Sequence, residues 1–524
     1  MTQQPPLRTP GLMVTVFISG MASLGLEMTA ARLLGNVFGT SNIVWANIIG
    51  LMLVYLTAGY FLGGRWADRS PSTRTFYRII VWAAFTAGLV PLASRPVLRE
   101  AANAVEALDA AVMAGSFLSI LILFSVPVTL MGCVSPFAIR LGITDPAKAG
   151  TVSGRIYAIS TLGSILGTFL PVLWLIPAVG TTRTFLVFSL GLLAVGLLGL
   201  LRADRKAALL YLWMPVALLA LAWWVLQSPI KSTSGQIFER ESAYNYIQVV
   251  EIRGTRFLLL NEGQGIHSVY NPAGGPTFGT WDYFLAAPYF NPGADPVRPV
   301  ERLGLVGLAG GTIAKQYTQV FGPIPIDGWE IDPDIVAVGR EFFDMNEPNL
   351  NALVQDGRWG LAHSPWHYAV IGVDAYRLPY IPWHLTTREF FQEVRDHLTD
   401  LGVLVINVGR TPDDRRLVEA MVGTIGAVFP TVHVVDVPNT FNTIVFATVQ
   451  PTSADNLAGN LASLRVNGAS PLLLDVLERT ILNLQPTPES EVVFTDDWAP
   501  IEQLTNSMAI RFILQGQLDT LQTP

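Results

Sequence analysis

At 524 residues, with 51% hydrophobic and only 14% charged residues, the chain is too long for one domain and too apolar for an ordinary soluble protein. Its charge is unevenly split: residues 1–229 hold 15 basic and 7 acidic residues, and the remainder holds 18 and 33. So acidic a C-terminal part excludes nucleic acid as a partner, and one cysteine, Cys133, excludes a disulfide framework or a thiolate metal site.

Residues 1–10, with Pro5, Pro6 and Pro10, read as a tail. Seven apolar segments follow, near 11–34, 42–64, 77–97, 109–132, 154–177, 181–201 and 207–227. Each is long enough to cross a bilayer and many lack a polar face, so 11–228 is expected to be a transmembrane helical domain with lipid as its partner. The first run is too long for a cleavable signal peptide and continues into further spans. Gly59/Gly63 and Gly163/Gly167 suit close helix contacts in lipid. Glu27 and Arg32 lie in the first span, where charge is costly unless paired or lining a cavity. A structural ion pair or an interfacial position accounts for them; a substrate path is the alternative.

Basic residues cluster in alternate loops: Arg65, Arg69, Arg74 and Arg78; Arg140, Lys148 and Arg155; Arg202, Arg205 and Lys206. The positive-inside rule places these loops and the N-terminus in the cytoplasm. Seven crossings would then leave the C-terminal part outside, unless one segment does not span or a further crossing exists. The segment 154–177, interrupted by Pro171 and Pro177, is where a miscount would fall. The expectation is a multi-pass protein of the inner (cell) membrane with a cytoplasmic C-terminal part.

After a junction at 228–236, residues 237–295 carry short strands at 246–251 and 257–260, joined by a hairpin turn at Arg253-Gly254. Residues 296–450 begin with an apolar strand, 303–308, and a turn containing Gly307, Gly310 and Gly311, followed by a helix over 312–320. Such a turn lets a cofactor approach the backbone beside free helix N–H groups. The next strand ends at Glu330, about twenty residues on, where a carboxylate can accept from a ribose. Asp356-Gly357-Arg358 precedes a strand over 368–373, which ends at Asp374 on the carboxyl edge where open α/β sheets bind ligands. Further strands are expected at 402–408, 432–437 and 443–448, and helices over 451–524. His363 and His367 are separated by Pro365 and lack a third ligand, so no metal is expected.

The order of glycine turn, Glu330-Ile331-Asp332-Pro333, Asp356-Gly357 and strand-end Asp374 resembles the spermidine synthase (aminopropyltransferase) branch of the class I methyltransferase-like, Rossmann-like α/β fold. Leu260-Asn261-Glu262-Gly263 resembles that family's hairpin. The stretch from Gly25 to Leu34, with Gly63-Gly64-Arg65-Trp66-Ala67-Asp68-Arg69, Gly154-Arg155-Ile156-Tyr157-Ala158 and Thr495-Asp496-Asp497-Trp498-Ala499-Pro500, resembles fused membrane spermidine synthases.

The resemblance implies aminopropyl transfer from decarboxylated S-adenosylmethionine to a small amine, with S-adenosylmethionine as the alternative cosubstrate, and it allows a homodimer. It implies cofactor contacts at Gly307, Gly310, Gly311, Glu330, Asp356, Gly357 and Asp374. Amine-side candidates are Glu262, His267, Asp282, Tyr283 and Arg377. The pattern also breaks. The glycine turn carries no Asp, Arg377 fills the base position after Asp374, and Trp281-Asp282-Tyr283 replaces the amine-pocket group. Replacement carboxylates are sought in Asp282, Glu262, Asp496, Asp497 and Glu502, with Asp497 and Asp374 expected to be catalytic. Two alternatives stand beside this reading: transfer to a lipid-borne or anionic acceptor gripped by Arg377, and a non-catalytic adenosyl-binding module coupled to transport.

Overall fold

The computed structural model describes residues 9–38, 42–106, 110–227, 230, 233–261, 265–293, 300–376 and 381–514. It divides into two compact units: residues 1–232 with 240–246, and residues 233–239 with 247–524.

The first unit is helical. Seven runs are long and apolar enough to cross a membrane: Pro10–Gly35, Val44–Arg69, Thr73–Ser94, Phe117–Gly142, Pro146–Val179, Thr181–Ala203 and Arg205–Leu226. Their outer faces carry large apolar side chains, among them Phe61, Leu173, Trp174, Val216, Trp223 and Trp224, each more than half exposed. A surface of that kind needs lipid or protein against it. Pro171 and Pro177 fall within one continuous helical run, residues 146–179. Pro171–Leu175 widens to a π-turn that accommodates the missing amide, and the run ends at Gly180 with φ 82°.

Small residues set the close approaches. A side chain on Gly163 would collide with the Phe17 carbonyl, and one on Gly63 would meet Cys133 Cα at 2.6 Å. The proposed Glu27–Arg32 pair does not form. The Arg32 guanidinium donates instead to the carbonyls of Ser242 and Tyr244, at 2.8 and 2.9 Å. Among the described residues, no hydrogen bond or ion pair engages Glu27.

The second unit holds two sheets. The smaller has the order β1-β2-β3-β4, with β1 Gln236–Glu241, β2 Tyr246–Ile252, β3 Thr255–Leu260 and β4 Ile266–Tyr270. The β2–β3 turn falls at Arg253 and Gly254, both with positive φ. The larger sheet contains β5 Leu303–Val306, β6 Ile326–Glu330, β7 Leu350–Val354, β8 Tyr368–Val373, β9 Leu398–Gly409, β10 Thr431–Asp436, β11 Asn442–Thr448 and β12 Leu484–Gln485. Its order is β12-β10-β11-β9-β8-β5-β6-β7. The strands from β7 to β9 run parallel, and β11, β10 and β12 complete it antiparallel. This is the Rossmann-like α/β arrangement expected of the class I methyltransferase fold. The chain order reverses between β5 and β8, which opens the crevice at their carboxyl ends.

Candidate functional site

The turn after β5 is shaped by backbone conformation. Gly307 and Gly311 adopt φ of 90° and 83°, and Ala309 between them takes 48° despite its side chain. A Cβ on Gly307 would lie 2.5 Å from the Asp374 carbonyl oxygen, so the ends of β5 and β8 meet closely there. The N–H of Gly310 donates to Ser268 Oγ at 2.8 Å, and Thr312 Oγ1 exchanges hydrogen bonds with the Val269 backbone at 3.0 Å. Strand β4 is thereby stitched to the turn.

Glu330 ends β6 beneath this turn. One carboxylate oxygen accepts from the Ala309 N–H at 3.0 Å and the other from the Asp332 N–H at 3.1 Å. Burial disfavours its charge and pushes its pKa up to about 6, against the lowering effect of those N–H groups. Asp374, just past β8, is likewise pushed up to about 6 by burial. Its carboxylate accepts from Asn407 Nδ2 at 3.0 Å and from the Trp281 side chain. Asn407 is itself held by Asn442 Nδ2 at 2.8 Å and, through its carbonyl, by Tyr376 at 3.0 Å. Two carboxylates, Glu330 buried and Asp374 half-buried, thus flank the glycine turn at neighbouring strand ends.

Other expected residues are placed differently. Asp356 caps the helix Gly357–Ala362, accepting from the Trp359 N–H at 2.9 Å, and its other oxygen meets His384 Nε2 at 3.1 Å. Gly357 packs on Val306, where a Cβ would lie 2.6 Å from Cγ1.

Asp282 is fully buried and accepts five hydrogen bonds, from Thr277 N and Oγ1, Phe278 N, Gln316 Nε2 and Arg479 Nη2. A carboxylate offers about four acceptor sites. Asp282 therefore anchors the 277–279 turn and has no capacity left for an amine. Tyr283 is 1% exposed, with Arg479 5.5 Å over its ring. Burial pulls the His267 imidazole down to about 4, so it is neutral in this setting. Glu262 and Arg377 lie outside the described residues.

The acid pair at 496–497 is split in role. Asp496 does not cap a helix; it accepts from Arg358 Nη1 and Nη2 at 2.7 and 2.9 Å and from Thr387 Oγ1 at 2.7 Å. Asp497 is exposed, and no hydrogen bond or ion pair among the described residues joins it to Asp374.

Asn407 and Asn442, which steady Asp374, went unnamed in the sequence reading, and Trp281 was named only within the group that replaces the amine pocket. Asn407 had a signal, a polar residue inside the apolar run Val403-Leu404-Val405-Ile406-Asn407-Val408. Asn442 had none, since its part depends on the antiparallel register of β11 on β9.

No protein-family model matches the chain. A probable polyamine aminopropyl transferase of Bifidobacterium longum is 32% identical over 282 residues, covering 51% of this chain and 61% of that protein. The C-terminal part is similar to polyamine aminopropyltransferases. A second such protein, the polyamine aminopropyltransferase of Vibrio vulnificus, is 33% identical over 134 residues, 24% of this chain and 42% of its own length. The chain thus spans less than two thirds of either curated relative. Among solved structures, a probable spermidine synthase from Corynebacterium glutamicum aligns at 19% identity and a TM-score of 0.38, over 46% of this chain and 89% of its own.

Proposed function

We propose that the C-terminal part transfers an aminopropyl group from decarboxylated S-adenosylmethionine to a small amine, and that the seven helices hold it at a membrane. The observation that carries this reading is Asp374, a half-buried carboxylate at the switch point of the sheet, its backbone against Gly307 of the turn that Glu330 holds from the other side. Glu330 holds the ribose of the adenosyl group. The amine lone pair attacks the carbon beside the sulfonium, that C–S bond breaks, and methylthioadenosine leaves. Asp374 takes the proton released by the amine, and Trp281 and Asn407 fix the direction of its oxygens. A base with pKa near 6 is ionised at neutral pH yet still basic enough to share that proton.

The saturation of Asp282 supports a second reading, transfer from S-adenosylmethionine to an acceptor other than a polyamine. One experiment separates the two. Full-length protein in vesicles containing anionic lipid is given either cosubstrate, with and without putrescine, and the nucleoside product is identified. Methylthioadenosine is expected; S-adenosylhomocysteine would favour the second reading, and adenosyl binding without either product would favour a non-catalytic module.

The adenosyl supply places the C-terminal part in the cytoplasm. In a Cys133→Ser background, Ser72→Cys and Leu482→Cys should both be shielded from an impermeant thiol reagent in intact cells. Labelling of Leu482→Cys alone would put the C-terminal part outside.

A further inference from the structure

One indole joins Asp374 to the turn at 277–279. The Trp281 side chain donates to the Asp374 carboxylate, and its ring stands where a Cβ on Gly279 would fall, 2.6 Å away. Phe278, in the middle of the turn, takes φ 57° and is left 69% exposed. A bulky residue rarely adopts that conformation, and Asp282 enforces it by accepting from the Thr277 and Phe278 N–H groups, both at 3.0 Å. An amine at Asp374 has the Trp281 ring beside it and this turn beyond the ring.

The turn brings a second carboxylate, Asp282, but a cation of the chain itself closes it. Arg479, on the helix Pro471–Leu482, donates to Asp282 at 2.9 Å and lies 5.4 Å from the Phe278 ring centre and 5.5 Å from that of Tyr283. Its other carboxylate partner, Asp475, lies one turn back on the same helix and is half exposed. With Gln316 and the Thr277 and Phe278 donors also in place, Asp282 has no acceptor site left. A second ammonium on the acceptor would bring a full charge and three N–H donors to this wall and find Asp282 already filled, which is costly. An uncharged tail avoids that cost and meets apolar surface on Trp281 and Phe278.

We propose that the acceptor is a primary amine with a single charge and an uncharged tail, and that Arg479 excludes a second ammonium by occupying Asp282. The proposal rests on aminopropyl transfer at Asp374 as set out above. In that step the amine nitrogen bonds to the carbon beside the sulfonium, and the bond from that carbon to sulfur breaks. Methylthioadenosine leaves with the electron pair, and the secondary ammonium formed gives one proton to Asp374.

The test compares butylamine with putrescine, which share a carbon chain and differ by the second ammonium. The full chain is held in vesicles of phosphatidylcholine, which offers no primary amine, and methylthioadenosine release from decarboxylated S-adenosylmethionine is followed. Putrescine should react as the poorer acceptor, with kcat/KM for butylamine higher by about ten-fold or more. In Arg479→Met, which frees an oxygen of Asp282, that ratio should fall by about ten-fold, chiefly through a lower KM for putrescine. Arg479→Lys keeps a cation on Asp282 and should keep the wild-type ratio. Equal or better use of putrescine by the wild-type chain would overturn the proposal, and that comparison stands whether or not Arg479→Met folds. An unchanged ratio in an Arg479→Met chain with wild-type melting temperature and adenosyl affinity would overturn it as well. Adenosyl binding with no methylthioadenosine from either amine would overturn aminopropyl transfer itself, whereas a preference for putrescine would overturn this proposal alone.

Discussion

On one side of the glycine turn, Glu330 is held by main-chain N–H groups within its own βαβ unit, those of Ala309 and Asp332. On the other side, Asp374 is held by side chains from distant parts of the chain: Trp281 ahead of the sheet, Asn407 on β9, and Asn442 behind it on β11. Glu330 is buried and Asp374 half-buried, and loss of solvation pushes both up to about 6. The proposed cofactor side is thus fixed by local backbone geometry that a short motif can encode. The proposed acceptor side is fixed by tertiary packing, which can be rebuilt while the motif stays unchanged.

Asp374→Asn tests that division most severely. It removes the base and keeps the shape, so turnover should fall by about 10²–10⁴-fold, the usual contribution of a general base. Adenosyl-ligand affinity by calorimetry should change far less. Comparable losses in both would mean that the two sides are one. Glu330→Gln should do the reverse, weakening the adenosyl ligand about ten-fold or more, since a charge-assisted hydrogen bond contributes about 1.5–3 kcal/mol. Unchanged affinity would remove Glu330 from the ribose.

The two raised carboxylates also predict a pH dependence. In each the charged form is disfavoured by folding, so between the ordinary carboxylate range and about 6 the folded chain binds more protons than the unfolded one. Stability should therefore fall as pH rises through that window. Ligand binding and transfer need both groups ionised, so they should rise across it. A kcat/KM profile flat from pH 5 to 7, taken alongside thermal melts, would contradict the assignment. Asn407→Leu should then move the acidic limb of the rate profile upward, because it deletes a hydrogen bond that lowers Asp374, and should leave the adenosyl affinity in place.

The same division explains what could be read from the sequence. The strand over 368–373, the helix beginning at Thr312, and the positions of Glu330 and Asp374 follow from apolar runs and glycine punctuation, and each recurs in the structure within about two residues. The seven apolar runs also recur as helices long and apolar enough to cross a membrane, with bounds that shift by several residues. Asp282 was misjudged because sequence position cannot reveal how many donors converge on a carboxylate; Gln316 and Arg479 reach it from 34 and 197 residues away. Asp356 shows the opposite limit. Its spacing suits an adenine contact, yet the same spacing suits the helix cap it forms.

The smallest expected effect lies in the C-terminal clip, where Thr495 and Trp498 exchange backbone hydrogen bonds at 3.0 and 2.9 Å. Asp496 holds this clip to Arg358, whose guanidinium also meets Glu393 at 2.7 Å, and to Thr387 at the start of the helix Arg388–Asp396. Arg358 follows the Asp356 cap by two residues, so the clip acts on the cofactor side. Asp496 is partly exposed, and exposed ion pairs contribute at most about 1 kcal/mol. Asp496→Asn should accordingly weaken the adenosyl ligand by no more than about five-fold, through the Asp356-capped helix that carries Arg358. Asp497→Asn should change neither affinity nor turnover, because its exposed carboxylate makes no hydrogen bond or ion pair with Asp374. If Asp497→Asn instead abolished transfer while binding stayed intact, the clip would be supplying the amine-side carboxylate missing from the glycine turn. The acceptor side would then reach across the boundary that separates Asp374 from Glu330.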